Sequence, residues 1–322
     1  MAEQRTFAEL AWSTKGKVTR RERFLAEMDA VIPWKRLLGL IEPHYPKPGN
    51  GTQPMPLERM LRIYFVQNWF NLSDPAAEEM IYDSESIRRF VGIELSVDKV
   101  PDETTILRFR HLLEEHDLTR AIFLEIGSLL EEKGLLLKQG TIVDATIISA
   151  PSSTKNRTQS RDPEMKQTRK GNTWYFGMKV HVGTDLNGTV HTLTVTDAAV
   201  ADCQQLPELL HGDEKEVYGD RAYWNEADRE ALESRGVRYR VNRRGHRHRP
   251  ISNRWREINR SRSRVRARGE HVFLVVKRQW GFHRTRYRGL RKNLAQAYTA
   301  FGLANLYRLR SKLLSPGAKC AL

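Results

Sequence analysis

The sequence predicts an α+β (or α/β) protein: an amino-terminal helical domain, then a mixed five-stranded sheet flanked by helices. Three observations carry this. Leu57, Met60, Leu61, Tyr64 and Phe65 recur at a spacing of three and four, and similar helical periods continue to residue 135. The stretch TIVDATIISAP, Thr141 to Pro151, is rich in β-branched residues and reads as one buried strand. Asn187-Gly188, between two strand-like runs, is a strong hairpin signal.

A chain of 322 residues, 39% of them hydrophobic, is long enough for two domains with a proper core. Residues 1–50 read as an amino-terminal extension and linker. Phe7, Leu10, Ala11 and Phe24 to Met28 have the makings of short helices. Pro43, Pro46, Pro48 and the Gly49–Gly51 run mark the linker. Residues 51–136 form the helical domain, assigned to DNA binding or dimerisation. Asp74-Pro75 reads as a cap and first-turn proline for a helix burying Met80, Ile81, Ile87 and Phe90 and stopping near Gly92. Asp102 caps the next, with Ile106, Phe109, Leu112 and Leu113 inward. A last one buries Ile122, Phe123, Ile126, Leu129 and Leu130 and ends at Gly134.

Residues 137–322 hold the sheet. After the first strand, Ser152 to Asn172 is polar without an apolar period and reads as a long loop. The hairpin strands are expected at Tyr175–Thr184 and Thr189–Thr196. Asp202 reads as a helix cap before Leu206, Leu209 and Leu210. A strand then ends on Asp220, followed by a helix (Glu226–Arg235) and a strand (Val237–Val241).

The net charge is +15 and the pI about 9.9, which calls for a polyanionic partner or an acidic surface. From Arg235 to Lys292 there are 21 Lys and Arg against two acids, Glu257 and Glu270. This block, with residues 240–268 its basic segment, reads as an electrostatic footprint for nucleic acid, with a solvated basic face that keeps the chain soluble the alternative. In the helical domain Arg88, Arg89, Arg108 and Arg110 are candidates for DNA contacts, with solvated surface arginines the alternative. Cys203 and Cys320 have no metal or disulfide spacing. No apolar run spans a bilayer and none opens the chain as a signal, so a reducing cytoplasm is expected and no membrane partner.

Asp144 is a carboxylate inside an apolar strand, costly unless it is paired or coordinated. Asp220 stands at a strand end behind Gly219. Glu270 is nearly alone in the basic block. Arg266, Glu270 and Lys277 are spaced four and seven apart, one face of a helix, although Gly269, Val272, Val275 and Val276 favour a strand by propensity. Three acids on separate elements are a donor set for Mg²⁺, and two such ions about 3.5–4 Å apart serve in-line phosphodiester chemistry.

The stretches PDETTILRFRHLLEEH, GLLLKQGTIVDATIISAPSSTKN, RDPEMKQTRKGNTWYFGMKVHVGTD and VYGDRAYW, with Arg266, Glu270 and Lys277, carry a resemblance. The chain resembles the DDE transposases of bacterial insertion sequences, most nearly the insertion-sequence-five group. The resemblance implies an RNase H-like catalytic domain with Asp144 on the first strand, Asp220 after the fourth and Glu270 on a later helix. These three would be catalytic and would bind two Mg²⁺ ions, with Mn²⁺ able to substitute. It implies that Arg266 and Lys277 contact DNA near the scissile phosphate; Lys170, Lys179, Arg243, Arg244 and Arg284 are further DNA-binding candidates. Ser263 departs from the family's tyrosine three residues before the arginine. A closing helix, Tyr298 to Leu314, would pack on the sheet. The expected activity is cleavage at element ends and joining of the 3′-OH ends to target DNA by a homodimer or higher oligomer, in a bacterial, nucleoid-associated setting.

Other readings stand beside this one. An inactive or domesticated DNA-binding protein would share the charge but not the need for three intact acids. STKGKVT lacks the leading glycine of a phosphate loop, with Ala11 in its place. A covalent recombinase needs one selected hydroxyl, and neither Tyr218 nor Tyr223 is singled out. His246 and His248 have no Cys partners for a metal.

Overall fold

Polar caps set the helical half. The structure, a computed structural model, describes residues 12, 14–50, 53–157, 159–245 and 250–315. Phe7, Leu10, Ala11, His246, His248 and Cys320 lie outside the described residues. Helix α1 (Arg20–Val31) opens on a capping box in which Thr19 and Glu22 each accept from the other's backbone N–H. Next come α2 (Trp34–Ile41) and α3 (Leu57–Phe70), the latter ending on Asn71 in the left-handed region. The segment expected as one helix after Asp74 is two, α4 (Asp74–Asp83) and α5 (Glu85–Val91), parted at Ser84, where the backbone is extended. Its cap is Ser73 rather than Asp74, since the Ser73 hydroxyl accepts from Ala76 N–H. Asp102 caps α6 (Glu103–Glu115) as expected, accepting from Thr105 N–H at 2.7 Å. Helix α7 (Leu118–Glu132) completes the set.

Among the described residues the sheet has six strands: β1 (Gly140–Ser149), β2 (Lys166–Lys170), β3 (Thr173–Thr184), β4 (Val190–Asp197), β5 (Glu216–Tyr218) and β6 (Arg238–Tyr239). β3 lies antiparallel to β1, from Ile142↔Thr184 to Ser149↔Gly177, and antiparallel to β4. β5 runs parallel to β1, and β6 parallel to β5. The order β4-β3-β1-β5-β6, antiparallel on one side of β1 and parallel on the other, is the RNase H-like sheet that the resemblance implies. The additional strand, β2, corrects the expected five: Lys166–Lys170 pairs with Gly177–Thr173 inside the segment read as a long loop. Its side chains are mostly exposed, so backbone pairing rather than apolar burial holds it.

Around the sheet lie α8 (Glu226–Ser234), α9 (Asn253–Phe273) with a π-helical turn (Leu274–Gln279), and α10 (Leu290–Leu314). The segment behind Asp202 is two short 3₁₀ turns, Asp202–Gln205 and Pro207–Leu209. Pro207 has no N–H to give a continuing helix. Helix α10 starts eight residues before the expected Tyr298, and its buried Ala297, Phe301 and Leu303 join a single apolar cluster with residues of α1 to α7, β1, β3 and β4. Polar ties cross it too. Asn305 bonds both backbone groups of Val190, and the Tyr64 and Thr299 hydroxyls lie 3.1 Å apart. A smaller cluster, including Val143, Leu209, Val217, Tyr223 and Val241, fills the space by β5 and β6. Among the described residues no helix is long and apolar enough to cross a membrane.

Two glycines let α9 reach the sheet. Gly188, in the β3–β4 turn at φ +82°, sits so close that a Cβ would come within 2.2 Å of the Arg268 carbonyl oxygen. At Gly269 a Cβ would meet Ile142 Cγ2 at 3.1 Å and Thr184 Oγ1 at 3.2 Å. Gly188→Ala is expected to cost about 2 kcal/mol or more, from left-handed strain plus the clash. Urea unfolding measures it; an unchanged midpoint would show that α9 does not depend on this contact.

Candidate active site

Strand pairing brings Asp144 and Asp220 to neighbouring places. Ile142 and Val143 are fully buried, and the next residue, Asp144, turns a mostly covered side chain to a cleft. Tyr218 pairs with Ile142, and the chain leaves β5 through Gly219, packed close on Val143. That delivers Asp220 to the same cleft, where its carboxylate caps the turn Arg221–Tyr223 by accepting from Ala222 N–H at 2.8 Å.

Glu270 arrives on α9. Propensity favoured a strand here, but Val272, Val275 and Val276 are buried in the apolar cluster, and Gly269 lets the helix lie against Ile142. Packing overrides the local preference. Arg266 and Glu270 then share a face. Arg266 Nη2 lies 3.0 Å from Glu270 Oε1, and Arg266 Nη1 lies 3.5 Å from Asp144 Oδ2. The π turn that follows widens the helix, as happens often near functional sites. Lys277 on it donates to Thr146 Oγ1 at 3.0 Å and to the Ile147 carbonyl at 2.9 Å. Burial, helped by nearby Lys170, lowers the Lys277 pKa.

The cleft has a volume of about 1360 Å³. Asp144, Asp220, Glu270, Arg266, Lys277, Lys170 and Lys179 all line it, with Arg169, Arg278 and Asp202 beside them. Arg243, Arg244 and Arg284 do not. Arg243 packs its guanidinium over Trp255 and Trp224, and exposed Arg284 lies beside Ser149 at the end of β1. Arg244 is exposed near the end of β6. In the helical half Arg110 is buried between Asp74 (3.1 Å) and Glu114 (2.9 Å), so it is a structural ion pair rather than a DNA contact. At the departing position, Ser263 Oγ accepts from Asn242 Nδ2 at 3.0 Å, tying α9 to the end of β6.

Asp202 was missed as a cleft residue because it read as a helix cap. Its Oδ1 accepts from Lys179 Nζ at 2.8 Å. The signal that points to it is on β3: Lys179 and His181 alternate on one face of an otherwise apolar strand and require an acidic or polar neighbour. Burial pushes His181 down to about 4, so it is neutral.

Burial raises Asp144 to about 6; Arg266 and the Ala145 N–H oppose this, while Asp220 and Glu270 add to it. An acid raised from 3.8 to about 6 contributes stability that is complete below the lower value and lost as pH rises through the upper one. Metal-free protein is therefore expected to gain on the order of 2–3 kcal/mol relative to Asp144→Asn as pH falls from 8 to 4. Urea midpoints of the two proteins measured in parallel check this, and a pH-independent difference would contradict it.

Among the described residues, no three of His, Cys, Asp or Glu already stand together as a metal site. The protein's own cations hold the acids: Arg266 bridges Asp144 and Glu270, and Lys179 holds Asp202. The donor chemistry fits a hard divalent ion nonetheless. The carboxylate oxygens come from separate elements and line one cleft.

Residues 136–306 match the family model described as "Transposase DDE domain", and residues 13–112 match "Transposase domain (DUF772)". Neither description names a particular insertion-sequence group. The solved structure titled "Crystal structure of the Mos1 Strand Transfer Complex" is similar over 84% of this chain and 79% of that chain, at 14% identity. The TM-score of that match is 0.27. DDE transposases generally use divalent metal ions. With its DDE domain model covering more than half of the 322 residues, the chain belongs to the DDE transposase family and serves DNA transposition.

Proposed function

We propose that this protein cuts DNA at the ends of its insertion element and joins the freed 3′-OH ends to target DNA. Both steps are in-line phosphoryl transfers, with water or a sugar hydroxyl as the nucleophile. The observation that carries this reading is one cleft lined by Asp144, Asp220 and Glu270 and edged by Lys and Arg. Asp144, Asp220 and Glu270 would hold two Mg²⁺ ions, or Mn²⁺ in their place. The ions would supply charge stabilisation for the attacking and leaving oxygens.

The chain's own groups do the rest. Arg266, between Asp144 and Glu270, keeps the acids together before DNA arrives and can then turn its charge to a phosphate. Lys277, anchored by Thr146 and the Ile147 carbonyl, presents a fixed cation at the cleft wall. Lys170 and Arg169 on the β2–β3 hairpin and Lys179 on β3 add positive charge along the path of the backbone. Arg243, Arg244 and Arg284, outside the cleft, would contact DNA further along. Two ends must be handled together, so the working form is a homodimer or higher oligomer.

Supercoiled plasmid bearing the matching element ends tests this. With Mg²⁺ or Mn²⁺, nicks with 3′-OH termini are expected at the element boundaries, and EDTA abolishes them. Binding of the ends without cleavage in either metal would favour the inactive DNA-binding reading instead.

A further inference from the structure

The cleft holds a fourth carboxylate. Asp202 lies just after β4 and lines the same cleft as Asp144 and Asp220. Lys179 Nζ donates to it and to the Val200 carbonyl, both at 2.8 Å. Behind it stand two buried polar atoms that have no hydrogen-bond partner among the described residues.

The first is Nδ1 of His181, a residue with 0% exposure; it has no hydrogen-bond partner and lies 4.0 Å from Asp202 Oδ1. The tautomer follows from the other nitrogen. The Thr196 hydroxyl donates to the Asp197 carbonyl at 3.0 Å, so it accepts from His181 Nε2 at 2.9 Å. Nδ1 therefore presents a lone pair towards a carboxylate. The second is the hydroxyl of Tyr223, a residue 1% exposed, also without a partner. Tyr223 closes the turn that Asp220 caps, and that turn packs against the one that begins at Asp202. Buried polar atoms are normally satisfied, and those left over point to absent solvent or an ion. Here a spare acceptor 4.0 Å from Asp202 and a spare donor on the turn packed against it stand behind a carboxylate that lines the cleft, a place that a hydrated cation would complete.

We propose that Asp202 is a fourth carboxylate of the divalent-cation site, with His181 and Tyr223 as positioning residues behind it. This rests on the reading of the cleft as a cation-dependent phosphoryl-transfer site. Lys179 supplies the countercharge to Asp202 in the cation-free protein.

Thermal unfolding of the full chain across an Mn²⁺ titration reads binding without catalysis. Mn²⁺ raises the wild-type melting temperature. Asp202→Asn weakens the apparent Mn²⁺ affinity about 10- to 100-fold, and Tyr223→Phe, which removes only the hydroxyl, about tenfold. A merely structural ion pair predicts otherwise: lower melting with and without Mn²⁺ alike, and unchanged affinity. That result in Asp202→Asn and Tyr223→Phe overturns the proposal; if Asp202→Asn does not fold, Tyr223→Phe decides. Asp144→Asn separates the two levels. If it loses the Mn²⁺ response while Asp202→Asn keeps it in full, only the fourth carboxylate is lost. If wild type shows no response, both readings fall.

Discussion

Asp144→Asn is expected to lower end cleavage on the order of a thousandfold or more while leaving DNA binding within a few-fold. The substitution keeps the shape of the side chain and removes a donor charge from the cleft. It should not destabilise the metal-free protein at pH 8. There the buried Asp144 is ionised at a cost, since its pKa is raised to about 6. Arg266 retains Glu270 at 3.0 Å in the variant, so no cation is left stranded. A loss of cleavage with no loss of melting temperature marks a residue kept for chemistry rather than for folding. Asp220→Asn and Glu270→Gln should lose cleavage to the same degree. Asn at 220 can still cap the turn by accepting from Ala222 N–H, and half-exposed Glu270 leaves no void when replaced. Quantified plasmid nicking beside gel-shift binding and thermal melts checks all three. Wild-type cleavage in any of them would remove that acid from the proposed set.

DNA affinity is expected to fall about 10³- to 10⁵-fold between 50 and 200 mM salt, the response of a protein that neutralises six to ten phosphates. The net charge of +15 and the cations along the cleft provide for contacts on this scale. Removing one phosphate-contacting charge should reduce the logarithmic salt slope by about one. Lys170→Ala on the exposed β2 strand tests the cleft, and Arg244→Ala tests the surface beyond it. A flat salt response would contradict the basic track. A slope changed by Lys170→Ala alone would confine the track to the cleft.

What could be read from the residues depended on whether a feature was local. The Asn187-Gly188 turn needs only its own backbone geometry, and the hairpin stands where it was expected, Gly188 at φ +82°. The buried run around Asp144 was equally plain, because isoleucines and valines define a strand without reference to the partner. Helices α3, α6 and α7 announced themselves through apolar spacing. β2 did not, since its polar side chains give no period and β3 alone defines it. Glu270 needed tertiary knowledge: a glycine and three valines make a helix only because the sheet receives them. The resemblance supplied that element where propensity pointed the other way. Asp202 stayed hidden because a cap and an ion-pair partner look alike in sequence. Its meaning lies in Lys179, more than twenty residues away and on another element.

An anomalous difference map from crystals grown with Mn²⁺ tests the central claim most directly. The account predicts Mn²⁺ peaks in the cleft, within coordination distance of Asp144, Asp220 and Glu270, with Arg266 displaced from the bridge it forms between Asp144 and Glu270. Peaks confined to other surfaces, with Arg266 still bridging the two acids at saturating Mn²⁺, would contradict it.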